Sequence, residues 1–183
     1  MAILRFNLDR TALLVVDMQE KLLPTIHDHE TVLAQVGRLI DAANALEIPV
    51  LVTEQYRKGL GDTVPQLRGR LNSSACVFEK LKFSACIDPV RRELSRRRLT
   101  SIVVCGIEAH VCVMQTCLDL AEDGHVAGVA VDAIGSRRPA DSSAAVARLT
   151  QAGVVPTTVE SVVLELVHEA GGARFKTVLP IIK

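Results

Sequence analysis

Aromatic residues are scarce in this chain, with no Trp, one Tyr and four Phe among 183 residues. That leaves few rings on which successive bases could stack. Charge of one sign is missing too, since 21 Lys and Arg balance 21 Asp and Glu. Without a net field, a polyanion would need a local basic patch, and no nucleic-acid partner is expected. Long apolar runs are absent: residues 12–16 and 102–105 fall far short of the roughly 20 needed to span a bilayer, so no membrane partner is expected. The first residues, MAILRFNLDRT, place an Arg and an Asp where a signal peptide would be apolar, which favours a cytoplasmic protein. No CxxC pair occurs, and five cysteines (Cys76, Cys86, Cys105, Cys112 and Cys117) are an odd number. That count argues against a disulfide framework and leaves at least one thiol free for another task.

What is present is Val, Leu, Ile and Ala, within a hydrophobic content of 49%. This suits layered strands and helices and one globular domain over residues 1–183, which can bury roughly 70% of the unfolded surface. Short β-rich runs alternate with stretches of helical period, the pattern of an α/β protein. Strands are expected at 11–16, 49–53, 75–78, 101–105, 126–131 and 154–159, with Gly106 ending the fourth. Helices are expected at 31–47, from Asp88 as cap and Pro89 as first residue, and at 110–123, 140–152 and 161–169. Residues 54–71 read as a long loop, and the tail RFKTVLPIIK is apolar enough to pack, a partner subunit included. Right-handed crossovers then make a mostly parallel six-stranded sheet covered on both faces.

In such sheets the chemistry collects at the carboxyl ends of strands. Asp17 follows the first strand, Lys80 the third, and Cys112 lies just beyond the fourth. Singly, each has an ordinary structural reading as a turn carboxylate, a solvated lysine and a small hydrophobe. Together they are complementary, because a helix N-terminus and an ammonium favour a thiolate and a carboxylate can take its proton.

The segments TALLVVDMQ, EKLKFSA and VVCGIEAHVCV, in that order, resemble the signature segments of the isochorismatase-like (cysteine hydrolase) family. The likeness continues through VAVDAIGSR and covers essentially the whole chain; TEQYRKGLGDTVPQL is more similar to the isochorismatase domain-containing subgroup than to the nicotinamidases. The resemblance implies a three-layer α/β/α sandwich with strand order 3-2-1-4-5-6 and a catalytic triad of Asp17, Lys80 and Cys112. It selects Lys80, four residues before the Ser of Phe-Ser-Ala, although Lys82 would share its face in an extended strand. In that order strand three lies two spacings, roughly 10 Å, from strand one, which a long lysine can cover. The backbone N–H groups of Glu108 and Cys112 would form an oxyanion hole, with a cis peptide between Ile107 and Glu108.

The implied reaction is attack by Cys112 on an amide, imide or related C–N bond of a small molecule, through an acyl-enzyme. A dormant binding or scaffold protein is the alternative, and attack by water without a covalent intermediate is a third. Gln19, Glu54, Tyr56 and His110 are candidates to line the pocket. The family commonly forms homo-oligomers. The Asp-x-His motif that holds a metal in nicotinamidases has no counterpart after strand two, and His27 and His29 read as surface residues, so neither metal nor cofactor is assigned. Cys86 either fills the pocket wall or pairs with Cys112 in a regulatory disulfide. Arg91, Arg92, Arg96, Arg97 and Arg98 make the one local basic cluster, read as the outer face of a helix.

Overall fold

A computed structural model describes residues 4–183. Six strands form one parallel sheet in the order β3-β2-β1-β4-β5-β6: β1 (Thr11–Val16), β2 (Val50–Gln55), β3 (Cys76–Lys80), β4 (Ser101–Ile107), β5 (Val126–Gly135) and β6 (Val155–Thr157). The eight α-helices of the described residues are α1 (His29–Ala45), α2 (Arg57–Leu60), α3 (Pro65–Arg68), α4 (Asp88–Arg96), α5 (Met114–Glu122), α6 (Pro139–Gln151), α7 (Val159–Val167) and α8 (Ala173–Ile182). The three-layer sandwich and its strand order are those expected.

β1 is buried along its whole length because it is central and covered on both faces. Its period of two still sorts the side chains: Leu13 and Val15 join the core under α1, α7 and α8, while Ala12, Leu14 and Val16 join the core under α4, α5 and α6. Replacing fully buried Leu14 with Ala would cost about 2–5 kcal/mol.

Several local expectations are corrected. Gly106 does not end β4; the strand runs on through it to Ile107, against an irregular stretch of β5 that pairs again at Ile134 and Gly135. Gly106 has φ +113°, and a Cβ there would lie 2.1 Å from the Val16 carbonyl oxygen. Glycine is therefore needed for the close approach of β4 to β1, beside Asp17. Lys80 is the last residue of β3 rather than a residue after it. The 54–71 segment contains the short α2 and α3, and Asp88 opens α4 inside the helix, with Ile87 at the cap. The tail forms α8, which packs on α1 and α7 of its own chain and buries Val178 and Ile182.

Three of the five arginines of the basic cluster are paired, with two carboxylates between them. Arg91 binds Asp123 at 2.7 Å and Arg96 binds Glu93 at 2.7 Å. The Arg10 guanidinium donates to the Arg98 carbonyl at 3.3 Å, which places the end of α4 beside the start of β1, at the opposite edge of the sheet from Asp17.

Gly106→Ala is expected to lower unfolding stability by about 2–5 kcal/mol, from the backbone conformation and the clash with Val16 together. A urea midpoint indistinguishable from the parent chain would show that β1 and β4 can separate without cost.

Candidate active site

The site begins where β1 stops. Asp17 adopts φ +53°, a left-handed conformation that a non-glycine residue holds at a cost of order 1 kcal/mol or more, and its backbone N–H donates to the Thr53 carbonyl at 3.0 Å. The turn keeps the carboxylate fully buried at the carboxyl edge of the sheet. Thr53 Oγ1 donates to Asp17 Oδ1 at 2.8 Å, and Lys80 Nζ donates to Asp17 Oδ2 at 2.6 Å.

Lys80 covers the distance across β2 that the strand order requires. Its ammonium also donates to Gln55 Oε1 at 2.7 Å, to the Phe83 carbonyl at 2.9 Å and to the Lys82 carbonyl at 3.3 Å. Lys82 itself is exposed, so of the two neighbouring lysines it is Lys80 that enters the site.

Cys112 arrives from the other side. After β4, the Ile107–Glu108 peptide is cis, at the bond the resemblance implied. Ala109–Val113 then form a π-helical turn before α5 starts at Met114, where a regular helix from His110 was expected. Such turns recur at functional sites because the extra residue re-aims a side chain. The buried Cys112 thiol feels both Asp17 and Lys80, whose charges act on it in opposite directions. Thr116 Oγ1 donates to the Cys112 carbonyl at 2.6 Å and accepts from the Ala85 N–H at 2.8 Å, tying the turn to the segment after β3.

The electrostatics differ from the sequence expectation. Burial pushes the Cys112 thiol up to about 12, and the adjacent Asp17 charge adds to this, outweighing the opposing pull of Lys80. Burial likewise raises the Asp17 carboxyl against the lowering influence of Lys80. Burial and Asp17 together thus favour the protonated sulfur over a standing thiolate.

The four pocket candidates have separate fates. Gln19 is fully buried, and its amide is occupied by the backbone of Gln55 and by the Gly61 carbonyl, so it braces the β1 and β2 ends. Glu54 is buried as well and accepts from Thr63 N–H at 2.7 Å and Thr63 Oγ1 at 2.8 Å, pinning the loop that carries α2 and α3. Tyr56 is half-exposed, its N–H donating to the Lys80 carbonyl at 2.9 Å. His110 is partly buried with Nδ1 2.9 Å from Ser136 Oγ. The carboxylate of Glu108 accepts from Arg137 Nε at 3.0 Å.

All five cysteines are free thiols. Cys86 packs its sulfur 3.6 Å from the Thr116 carbonyl, and burial pushes its thiol up to about 12. Thr53, Gln55 and Thr116 were missed by the sequence reading, because threonine and glutamine at strand ends and helix starts carry no distinctive spacing. Among the described residues no three His, Cys, Asp or Glu side chains gather as metal ligands, and no helix is long and apolar enough to cross a membrane.

Asp17→Asn is expected to lower the Cys112 thiol by about one pH unit or more, since it removes the charge and the acceptor that raise it while Lys80 remains. The pH dependence of Cys112 alkylation, followed at peptide level by mass spectrometry, measures this. An unchanged or higher value would mean that Asp17 does not control the thiol.

Comparison with known proteins agrees with this architecture. The sequence profile described as Isochorismatase domain matches residues 11–161. Isochorismatase domain-containing protein 2 of Xenopus laevis is 40% identical over 94% of this chain and 83% of its own length. The secreted isochorismatase effector Isc1 of Phytophthora sojae is 37% identical over 94% of this chain and 84% of its own. The solved MAR1 ribonuclease of Caenorhabditis elegans superposes with a TM-score of 0.94 at 43% identity, covering 98% of this chain and 92% of its own.

Proposed function

Because the chain belongs to the isochorismatase family, whose hydrolase fold it shares, we propose that its 183 residues act as one cysteine hydrolase domain on an amide, imide or related C–N bond of a small molecule. The observation that carries the reading is the meeting of Asp17, Lys80 and Cys112 in one buried cluster at the carboxyl edge of the sheet.

The chemistry follows from those positions. As the Cys112 sulfur attacks the substrate carbonyl, its proton passes to Asp17, whose raised affinity for protons suits the task. Lys80 holds the negative charge of the pair during the transfer. The tetrahedral oxygen is stabilised by the N–H groups of Glu108 and Cys112, in the turn that the cis peptide begins. Asp17 returns the proton to the departing nitrogen, leaving an acyl-enzyme on Cys112. Water, deprotonated by Asp17, then releases the acid and restores the thiol.

A nucleic-acid substrate, which the name of the Caenorhabditis relative raises, is less well supported. The end of the basic cluster at Arg98 lies at the far edge of the sheet, and Arg91, Arg96 and Arg97 are paired with Asp123 and Glu93. A dormant scaffold would have no need to keep a buried ion pair next to a thiol. The free thiols fit a reducing, cytoplasmic setting, and the family's habit makes a homo-oligomer the expected state.

A hydrolase screen across amides, imides, esters, carbamoyl compounds and RNA, with Cys112→Ala as control, tests the reading. Turnover of a C–N substrate should fall roughly a thousandfold or more in the variant, and intact mass should show an acyl adduct on the parent protein. Undiminished turnover by Cys112→Ala would remove the nucleophile. Salt-sensitive cleavage of RNA alone would replace the substrate class.

A further inference from the structure

Resting on the triad reading above, we propose that Gln55 is a positioning residue that aims the Lys80 ammonium at Asp17 and Cys112 without cancelling its charge. An ammonium has three protons to place. Around Lys80 Nζ stand one carboxylate oxygen of Asp17, two backbone carbonyls (Phe83 at 2.9 Å and Lys82 at 3.3 Å) and the Gln55 amide oxygen at 2.7 Å. The two carbonyls belong to the exposed segment after β3. Gln55 belongs to the sheet, and its register places it directly beside Lys80 on β3.

The orientation of this amide is fixed by its partners. Its Nε2 donates to the Leu81 carbonyl at 2.9 Å, so a flipped amide would set an NH2 against the ammonium and an oxygen against a carbonyl. Its backbone is clamped too: the N–H donates to Gln19 Oε1 at 2.7 Å, and the carbonyl accepts from Gln19 Nε2 at 3.0 Å. Gln19 in turn reaches the Gly61 carbonyl at 2.7 Å. Two glutamines thus link the end of β1, the end of β2, the 56–63 loop and the lysine.

A neutral acceptor is what this position calls for. The lysine's pull on the Cys112 thiol is the one influence that opposes both burial and Asp17. A carboxylate at position 55 would compete with Asp17 for the ammonium and raise the thiol further. An apolar side chain would remove the one acceptor that the sheet supplies and leave the ammonium to Asp17 and the carbonyls of the exposed 82–83 segment. An amide oxygen holds the cation and leaves its charge available.

The test reads Cys112 alkylation by iodoacetamide at about pH 9, where the rate follows the small thiolate fraction, in the parent protein, Gln55→Leu and Gln55→Glu, with peptide mass spectrometry separating Cys112 from the other thiols. Both variants should react about tenfold more slowly, the equivalent of one pH unit at the thiol. A merely structural role would lower the unfolding midpoint and leave the rate unchanged, and a loosened site would raise it; either result overturns the proposal. Gln55→Glu preserves size and acceptor, so it carries the test should Gln55→Leu fail to fold. The reading needs no turnover, so it stands apart from the fate of the hydrolase assignment, which Cys112→Ala decides.

Discussion

The structure is arranged around one buried ion pair, Asp17 with Lys80. Both side chains are cut off from water, and two charges so placed lose several kcal/mol each of hydration. That loss is offset only by close geometry and by hydrogen bonds that satisfy every remaining lone pair and proton. Thr53 takes the second carboxylate oxygen, and Gln55 with the 82–83 carbonyls takes the remaining ammonium protons. The pair also fixes the sheet edge: β1 must end where the left-handed turn at Asp17 points inward, and β3 must end with Lys80 in line with Gln55.

The third partner joins on terms set by that pair. Gly106 lets β4 lie close against Val16, and the π-helical turn swings Cys112 toward the carboxylate. The result is a buried thiol beside a carboxylate. Burial and Asp17 hold the proton on sulfur, and Lys80 partly opposes them.

Much of this was legible in the sequence because the strongest signals are periodic. The apolar run ending at Asp17, the alternation of strands with helices and the order of three separated motifs define the sheet and its chemical edge. Lys80 could be separated from Lys82 by resemblance, and the distance across β2 gave a reason for a long side chain. What was not legible depends on three-dimensional proximity. Gly106 looks like a strand terminator in one dimension and is a contact point between two strands in three. Gln19 and Glu54 are polar and near the site, so they read as pocket residues, yet their polar atoms are occupied by backbone and loop partners. The tail read as apolar enough to pack without saying on what, and it forms α8 against α1 and α7 of its own chain. The direction of the thiol shift was misjudged because sequence shows the neighbouring charges and not the depth at which they are buried.

The most direct measurement of the central pair is a double-mutant cycle on unfolding free energy, using Asp17→Asn, Lys80→Met and the two combined. Each single change strands a buried charged partner and is expected to cost about 3–5 kcal/mol. The double variant strands neither, so its cost should fall short of the sum by about 2–3 kcal/mol. Strict additivity of the two single changes would contradict the pair as the constraint on which the site is built.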